Sequence, residues 1–118
     1  MAQKYIIGDI VVYKNRIHTI IDILASNGYE LSYVIHPVSQ VRLSGVPLTS
    51  SILEKNGWKP INGKYAFKIK NANYLVLDFT EDGVNSYINE KTMLFVIKYL
   101  HELQHLLFGL GLNSEMEV

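Results

Sequence analysis

The sequence predicts an α+β domain. The expected architecture is a small curved antiparallel sheet, SH3-like in its short strands, with a short middle helix and a long C-terminal helix packed on it. Three observations point there. Short stretches rich in β-branched and aromatic residues are separated by Asn27-Gly28, Asn62-Gly63 and Asp82-Gly83, which are turn signals. The stretch Val46–Trp58 changes to helical character. The stretch Phe95–Gly111 repeats apolar residues at helical spacing.

Taken in order, Tyr5–Tyr13 is a strand, broken by the polar Lys14-Asn15. Arg16–Leu24 carries apolar residues on both alternating sides, which suits a central or strongly curved strand. Tyr29–His36 alternates again and ends at Pro37, and Val38–Leu43 offers an edge strand. Thr49 is a good N-cap for the middle helix, with Leu48 and Leu53 placed as a hydrophobic staple. Gly57 is suited to the left-handed conformation that ends it. Trp58 follows and is expected to pack on Leu53, with ligand stacking as the other reading.

Tyr65, Phe67 and Ile69 alternate with Ala66, Lys68 and Lys70, a half-buried strand with lysines in water. Tyr74–Phe79 and Val84–Ile88 pair around Asp82-Gly83. Asn89 or Thr92 caps the last helix, where Val96, Leu100, Leu103, Leu107 and Leu110 form one stripe. Residues 1–112 thus read as one domain, and 113–118 as a flexible acidic tail.

Composition bounds the function. At 118 residues, 48% hydrophobic and 19% charged, the chain is globular with one modest core. Lys+Arg and Asp+Glu both number 11, so no global charge draws it to DNA or to an anionic membrane. A local basic stretch remains at Lys59, Lys64, Lys68 and Lys70. The absence of cysteine excludes disulfides and a Cys nucleophile. No apolar run matches a membrane helix, and Met1–Lys14 does not read as a signal peptide, so a cytoplasmic protein is expected.

The one string with catalytic meaning is His101-Glu102-Leu103-Gln104-His105, an H-E-x-x-H match. On a helix His101 and His105 share a face and can hold one zinc, with Glu102 as the general base for a bound water. A catalytic zinc needs a third protein ligand, and the position six after His105 is Gly111. Upstream His18, His36, Asp78 and Glu81 form no motif. The other reading is structural: two histidines flanking a leucine stripe. No Walker A, G-x-G-x-x-G or G-x-S-x-G pattern is present.

Three segments together carry a resemblance: Ile7-Gly8-Asp9; Val46-Pro47-Leu48-Thr49 through Gly57-Trp58; and Tyr99-Leu100-His101-Glu102-Leu103-Gln104-His105-Leu106 with Phe108. The chain resembles a group of small uncharacterised proteins of Bacteroidetes genomes and their phages. That group shows an early Ile-Gly-Asn/Asp, Ile-Pro-Leu-Thr before a short helix ending in Gly-Phe, and a final helix reading roughly Val-His-Gln-Leu-Gln-Asn-Leu-Tyr-Phe. The likeness spans nearly the whole chain, with variable strands between the motifs. It places Glu102 where the group often has Gln and His105 where it often has Asn, so the H-E-x-x-H string becomes a variant of a structural helix.

The resemblance implies a phage or prophage protein acting in a bacterial host cell, and brings no activity. The expectation is a non-enzymatic binding protein without a cofactor, possible targets being a host signalling nucleotide, sequestered as counter-defence, or a host protein. A homo-oligomer through the C-terminal helix is expected. Trp58 and the tyrosines offer rings to stack a base, and Arg16, Arg42 and Lys68 offer charge to phosphates. Each also has an ordinary reading as core or solvated surface. The alternatives are a zinc hydrolase through His101, Glu102 and His105, and a phage structural or assembly protein.

Overall fold

A computed structural model describes residues 4–25, 28–69, 73–89 and 91–118. Asn27 of the first expected turn, Lys70 of the basic stretch and residues 1–3 of the expected domain lie outside the described residues. The chain is α+β and antiparallel, as its alternation requires. Where the sequence suggests one sheet, the described residues form two sheets of five strands each. The backbone forms two compact units, one of residues 1–46 with 99–115, the other of residues 47–98 with 116–118.

The first unit contains β1 (Ile10–Tyr13), β2 (Arg16–Ile23), β3 (Gly28–Leu31), β4 (Val38–Ser39), a 3₁₀ turn (Gln40–Arg42), β5 (Ser44–Gly45) and a C-terminal helix. The sheet order is β4-β3-β2-β1-β5. Lys14 (φ 48°) and Asn15 (φ 62°) are both left-handed, the geometry of a two-residue type I′ hairpin turn between β1 and β2. β2 pairs with β1 up to Thr19 and with β3 from Ile20, with a register shift between Ile20 and Asp22. That irregularity bends the strand and curls the sheet. Tyr5, Val11, Tyr13, Ile20, Tyr29, Leu31, Val38 and Leu43 form the core of this unit.

Three expected strands are shorter than their apolar patterns. The strand expected over Tyr5–Tyr13 begins only at Ile10, after Gly8 (φ 96°) turns the chain. The strand expected over Tyr29–His36 ends at Leu31, because Tyr33 turns left-handed (φ 61°) and the segment after it leaves the ladder. Val38–Leu43 is a two-residue strand followed by the 3₁₀ turn. Gln40 anchors that turn: its Oε1 accepts from the Tyr29 hydroxyl at 2.6 Å and from the Lys4 N–H at 2.9 Å.

The second unit holds α1 (Ser50–Lys55) and a meander of β6 (Lys59–Ile61), β7 (Lys64–Lys68), β8 (Tyr74–Thr80), β9 (Gly83–Ile88) and β10 (Thr92–Ile97). Thr49 caps α1 as expected, its Oγ1 accepting from the Ile52 N–H at 3.3 Å. Gly57 (φ 88°) ends it, with Gly57 N–H bonded to Glu54 O and Trp58 N–H to Leu53 O, a Schellman closure. Asn62 (φ 52°) and Gly63 (φ 80°) make the β6–β7 turn. Residues 117 and 118 are hydrogen-bonded to α1 through Asn56 and Lys55.

The C-terminal helix α2 spans Leu100–Gly109. The helical pattern from Phe95 is corrected at its start: Phe95, Val96 and Ile97 belong to β10, and Val96 is not on the helix stripe. Neither Asn89 nor Thr92 caps it. Tyr99 is the N-cap, and its N–H donates to Glu102 Oε1 at 2.9 Å. Leu100, Leu103 and Leu107 are buried, as the stripe predicts, together with Leu106, His101 and Gln104, whereas Leu110 of the stripe lies exposed beyond the last turn. Among the described residues no helix is long and apolar enough to cross a membrane.

Candidate functional site

The H-E-x-x-H residues sit on α2 in the first unit. His105 Nε2 lies 2.7 Å from Oδ2 of Asp9, a carboxylate only 1% exposed that also accepts the Ile6 N–H at 3.0 Å. Burial pushes the Asp9 carboxyl above the usual carboxylate range, while the Ile6 N–H and His105 pull it down. His101 is 3% exposed. It is enclosed by the rings of Tyr5 at 5.0 Å, His105 at 5.6 Å and Tyr99 at 5.8 Å between centroids. Among the described residues its Nδ1 has no hydrogen-bond partner. Desolvation, with help from the neighbouring His105, lowers its pKa to about 4, so it is a neutral ring at pH 7.

Glu102, the general base of the zinc reading, is engaged at the helix start by the Tyr99 N–H. Among the described residues no group of three or more His, Asp or Glu is placed to hold a metal ion. In this arrangement His105 and Asp9 tie the loop before β1 to α2. Gln104 does the same, accepting from Ile10 N–H at 2.9 Å and donating to Gly8 O at 2.9 Å.

The ligand residues expected from sequence fall into both units. Arg16 and Arg42 are exposed in the first. Arg42 closes the 3₁₀ turn that Gln40 anchors, and Arg16 stands directly across from Tyr13 in the β1–β2 ladder. Near them a groove of about 430 Å³ is lined by Tyr13, Lys14, His36, Pro37, Val38, Ser39 and Arg42. The lining holds two permanent cations and no carboxylate. Lys14 Nζ lies 5.5 Å from the Tyr13 ring centroid. No ion pair among the described residues engages Lys14 or Arg42.

Trp58 and Lys68 belong to the second unit, on opposite sides of its sheet. Trp58 is 3% exposed and packs on Phe67 at 5.1 Å between centroids, so its ring is core and offers no free face for stacking. Phe67 pairs with Leu75, and Tyr65 with Leu77, on the side where the Tyr65 hydroxyl donates to Glu54 of α1. Lys68 lies on the other side, directly opposite Tyr74.

The sequence does not mark Lys14 or Asp9 as site residues, and it offers His36 only among upstream metal-ligand candidates that form no motif. The run Lys14-Asn15 reads only as a turn. His36 lies in sequence far from Tyr13, and Asp9 has its partner 96 positions away. Non-glycine residues at positive φ are uncommon and often functional, but that feature belongs to the backbone and not to the sequence. Comparison with models of known protein families, with curated proteins and with solved structures returns no match.

Proposed function

We propose that this chain works by binding and not by catalysis, and that its ligand is a nucleotide-type anion held in the groove of the first unit. The observation that carries this reading is the groove lining: Lys14, His36 and Arg42 around a concave volume of about 430 Å³, with no carboxylate among the lining residues. That volume lies within the usual range for small-ligand sites. Arg42 supplies a planar fork suited to a phosphate, and Lys14 a point charge. Ser39, His36 and Tyr13 supply the polar and aromatic edges that a base and a sugar need. Arg16, across from Tyr13, adds a third permanent cation at the same side of the hairpin.

In the phage setting that the resemblance implies, such a site suits sequestration of a host signalling nucleotide. The expected homo-oligomer has its support in Phe108 and Leu110, apolar side chains exposed at the end of α2. A second reading, capture of a host protein, is favoured by Tyr33 and Ile35, whose side chains stand fully in solvent at 101% and 102% exposure.

The test is calorimetric titration of the full chain with nucleoside monophosphates and cyclic oligonucleotides, after chelator treatment. Binding that weakens about tenfold or more in Arg42→Ala, and that falls with salt, supports the nucleotide reading. Binding indifferent to Arg42→Ala and Lys14→Ala, or none across the panel, overturns it. Stoichiometric zinc lost on His105→Ala would return the chain to hydrolase chemistry.

A further inference from the structure

The second unit carries a separate site that the nucleotide reading does not use. Register and alternation lay out one face of its sheet position by position. Ala66 sits at the middle of β7, with Lys59 directly across in β6 and Val76 directly across in β8. Lys64 and Lys68 lie two residues away along β7 on either side, and so point to the same face as Ala66. A lone methyl group is therefore ringed by three lysines and a valine.

The small side chain leaves a hollow. A cavity of about 260 Å³ opens there, lined by Ile61, Lys64, Ala66, Tyr74, Val76 and Asn89. Val76 forms a buried floor, and Ile61 and Tyr74 are exposed at the edges. Met93 and Val96 continue the exposed apolar surface on β10. No ion pair among the described residues engages Lys59, Lys64 or Lys68. Asp78, two residues along β8 from Val76 and paired with Asn85, is the one carboxylate among the described strand residues on this face. Among the described residues the charge around the hollow is thus positive while its floor is apolar.

Apolar surface beside cations selects a ligand with both properties. We propose that this hollow binds a small amphiphilic anion: a planar aromatic or short acyl body lying over Ala66 and Val76, with a single carboxylate, sulfonate or phosphate group meeting Lys64 in the wall of the hollow. The one amide of the lining, Asn89, is already engaged, its Oδ1 accepting from the Tyr74 N–H and its Nδ2 donating to Asn73 Oδ1, and the one hydroxyl of the lining is that of Tyr74. The lining therefore lacks the donors and acceptors that a nucleotide base requires, which separates it from the groove of the first unit.

The probe is 8-anilinonaphthalene-1-sulfonate, titrated into the full chain and followed by its fluorescence. Saturable binding of one dye per chain is expected. Ala66→Trp fills the hollow and abolishes it, and Ala66→Leu, a milder filling that keeps the strand pattern, weakens it several-fold. Lys64→Ala weakens it about tenfold and flattens its salt dependence. The uncharged N-phenyl-1-naphthylamine binds about tenfold more weakly than the sulfonate. Arg42→Ala leaves the dye unaffected, so failure here and failure of the nucleotide reading are distinguishable.

Dodecanoate and indole-3-acetate are the competitors. Displacement by the first identifies an acyl body, and by the second an aromatic one. Displacement by neither overturns the proposal. So does dye binding that does not saturate, that ignores both Ala66 substitutions in folded protein, or that favours the uncharged analogue. Dye binding that vanishes as the chain self-associates in sedimentation would make this face a subunit interface, and would overturn the proposal as well.

Discussion

His105 and Asp9 meet at 2.7 Å across 96 residues of chain, joining the middle of α2 to the loop that enters β1. The carboxylate is buried, so removing either partner leaves a polar group whose desolvation is no longer offset. Asp9→Ala and His105→Ala are each expected to cost about 1–3 kcal/mol in urea unfolding. The double mutant should lose less than the sum, with a coupling of about 1 kcal/mol. Additive losses would show that the two side chains do not act on each other.

His101 makes stability depend on pH. Its pKa falls to about 4 in the folded chain from an ordinary 6.5, so the unfolded chain binds more protons between those values. The stability from its neutral ring is complete above pH 6.5 and is lost as pH falls towards 4. The full effect is on the order of 3 kcal/mol. Asp9, whose carboxyl is raised, opposes this at the acid end. Tm measured from pH 7 to pH 4 should therefore fall, and His101→Phe should flatten that fall. At pH 7 the phenyl ring should be no less stable than wild type, because it removes the orphaned Nδ1. An unchanged pH slope in His101→Phe would remove His101 as the cause.

Gln104 is a buried connector. Its Oε1 accepts from Ile10 N–H, and its Nε2 donates to Gly8 O and, at 3.1 Å, to Ser114 O. Gln104→Leu keeps the volume and leaves the Ile10 N–H unpaired inside the protein. A loss of about 2–4 kcal/mol is expected, with faster amide exchange at Ile10. Normal protection of that amide would contradict the assignment.

Gly83 is the residue of the β8–β9 turn where a side chain is excluded on two grounds. Its φ is 133°, and an added Cβ would lie 2.7 Å from Val96 Cγ1 and 3.2 Å from Ile97 O. Gly83→Ala should cost about 2–4 kcal/mol, from backbone strain together with overpacking. Gly83→Ala with Val96→Ala should recover the packing part and keep the strain, which chemical denaturation of the two variants will separate.

Local chemistry was legible wherever the cause lies within a few residues. The α1 boundaries follow from Thr49 and Gly57, because a cap needs one hydroxyl and a left-handed C′ needs no Cβ. The Asn62-Gly63 turn follows from two adjacent residues that accept positive φ. The buried side of α2 follows from the spacing of Leu100, Leu103 and Leu107. The α+β class follows from the same local patterns.

Where two local patterns fit equally well, only pairing decided. Phe95, Val96 and Ile97 satisfy a helix stripe and a strand alike. They are strand because Val96 pairs with Asn85 and Ile97 with Val84 of β9, which supply ladder hydrogen bonds that a helix start there would forgo. Tertiary structure also decided that the strands form two sheets, since β5 returns to β1 through the pairing of Val12 with Ser44 and not to its neighbours in sequence. It brought Asp9 to His105, ringed Ala66 with Lys59, Lys64 and Lys68, and set His36 and Arg42 beside Lys14. A sequence by itself determines periodicity and turn chemistry, which are short-range. Sites are made by ladder register and by chain reversal, and those follow from the packing of residues far apart in the chain.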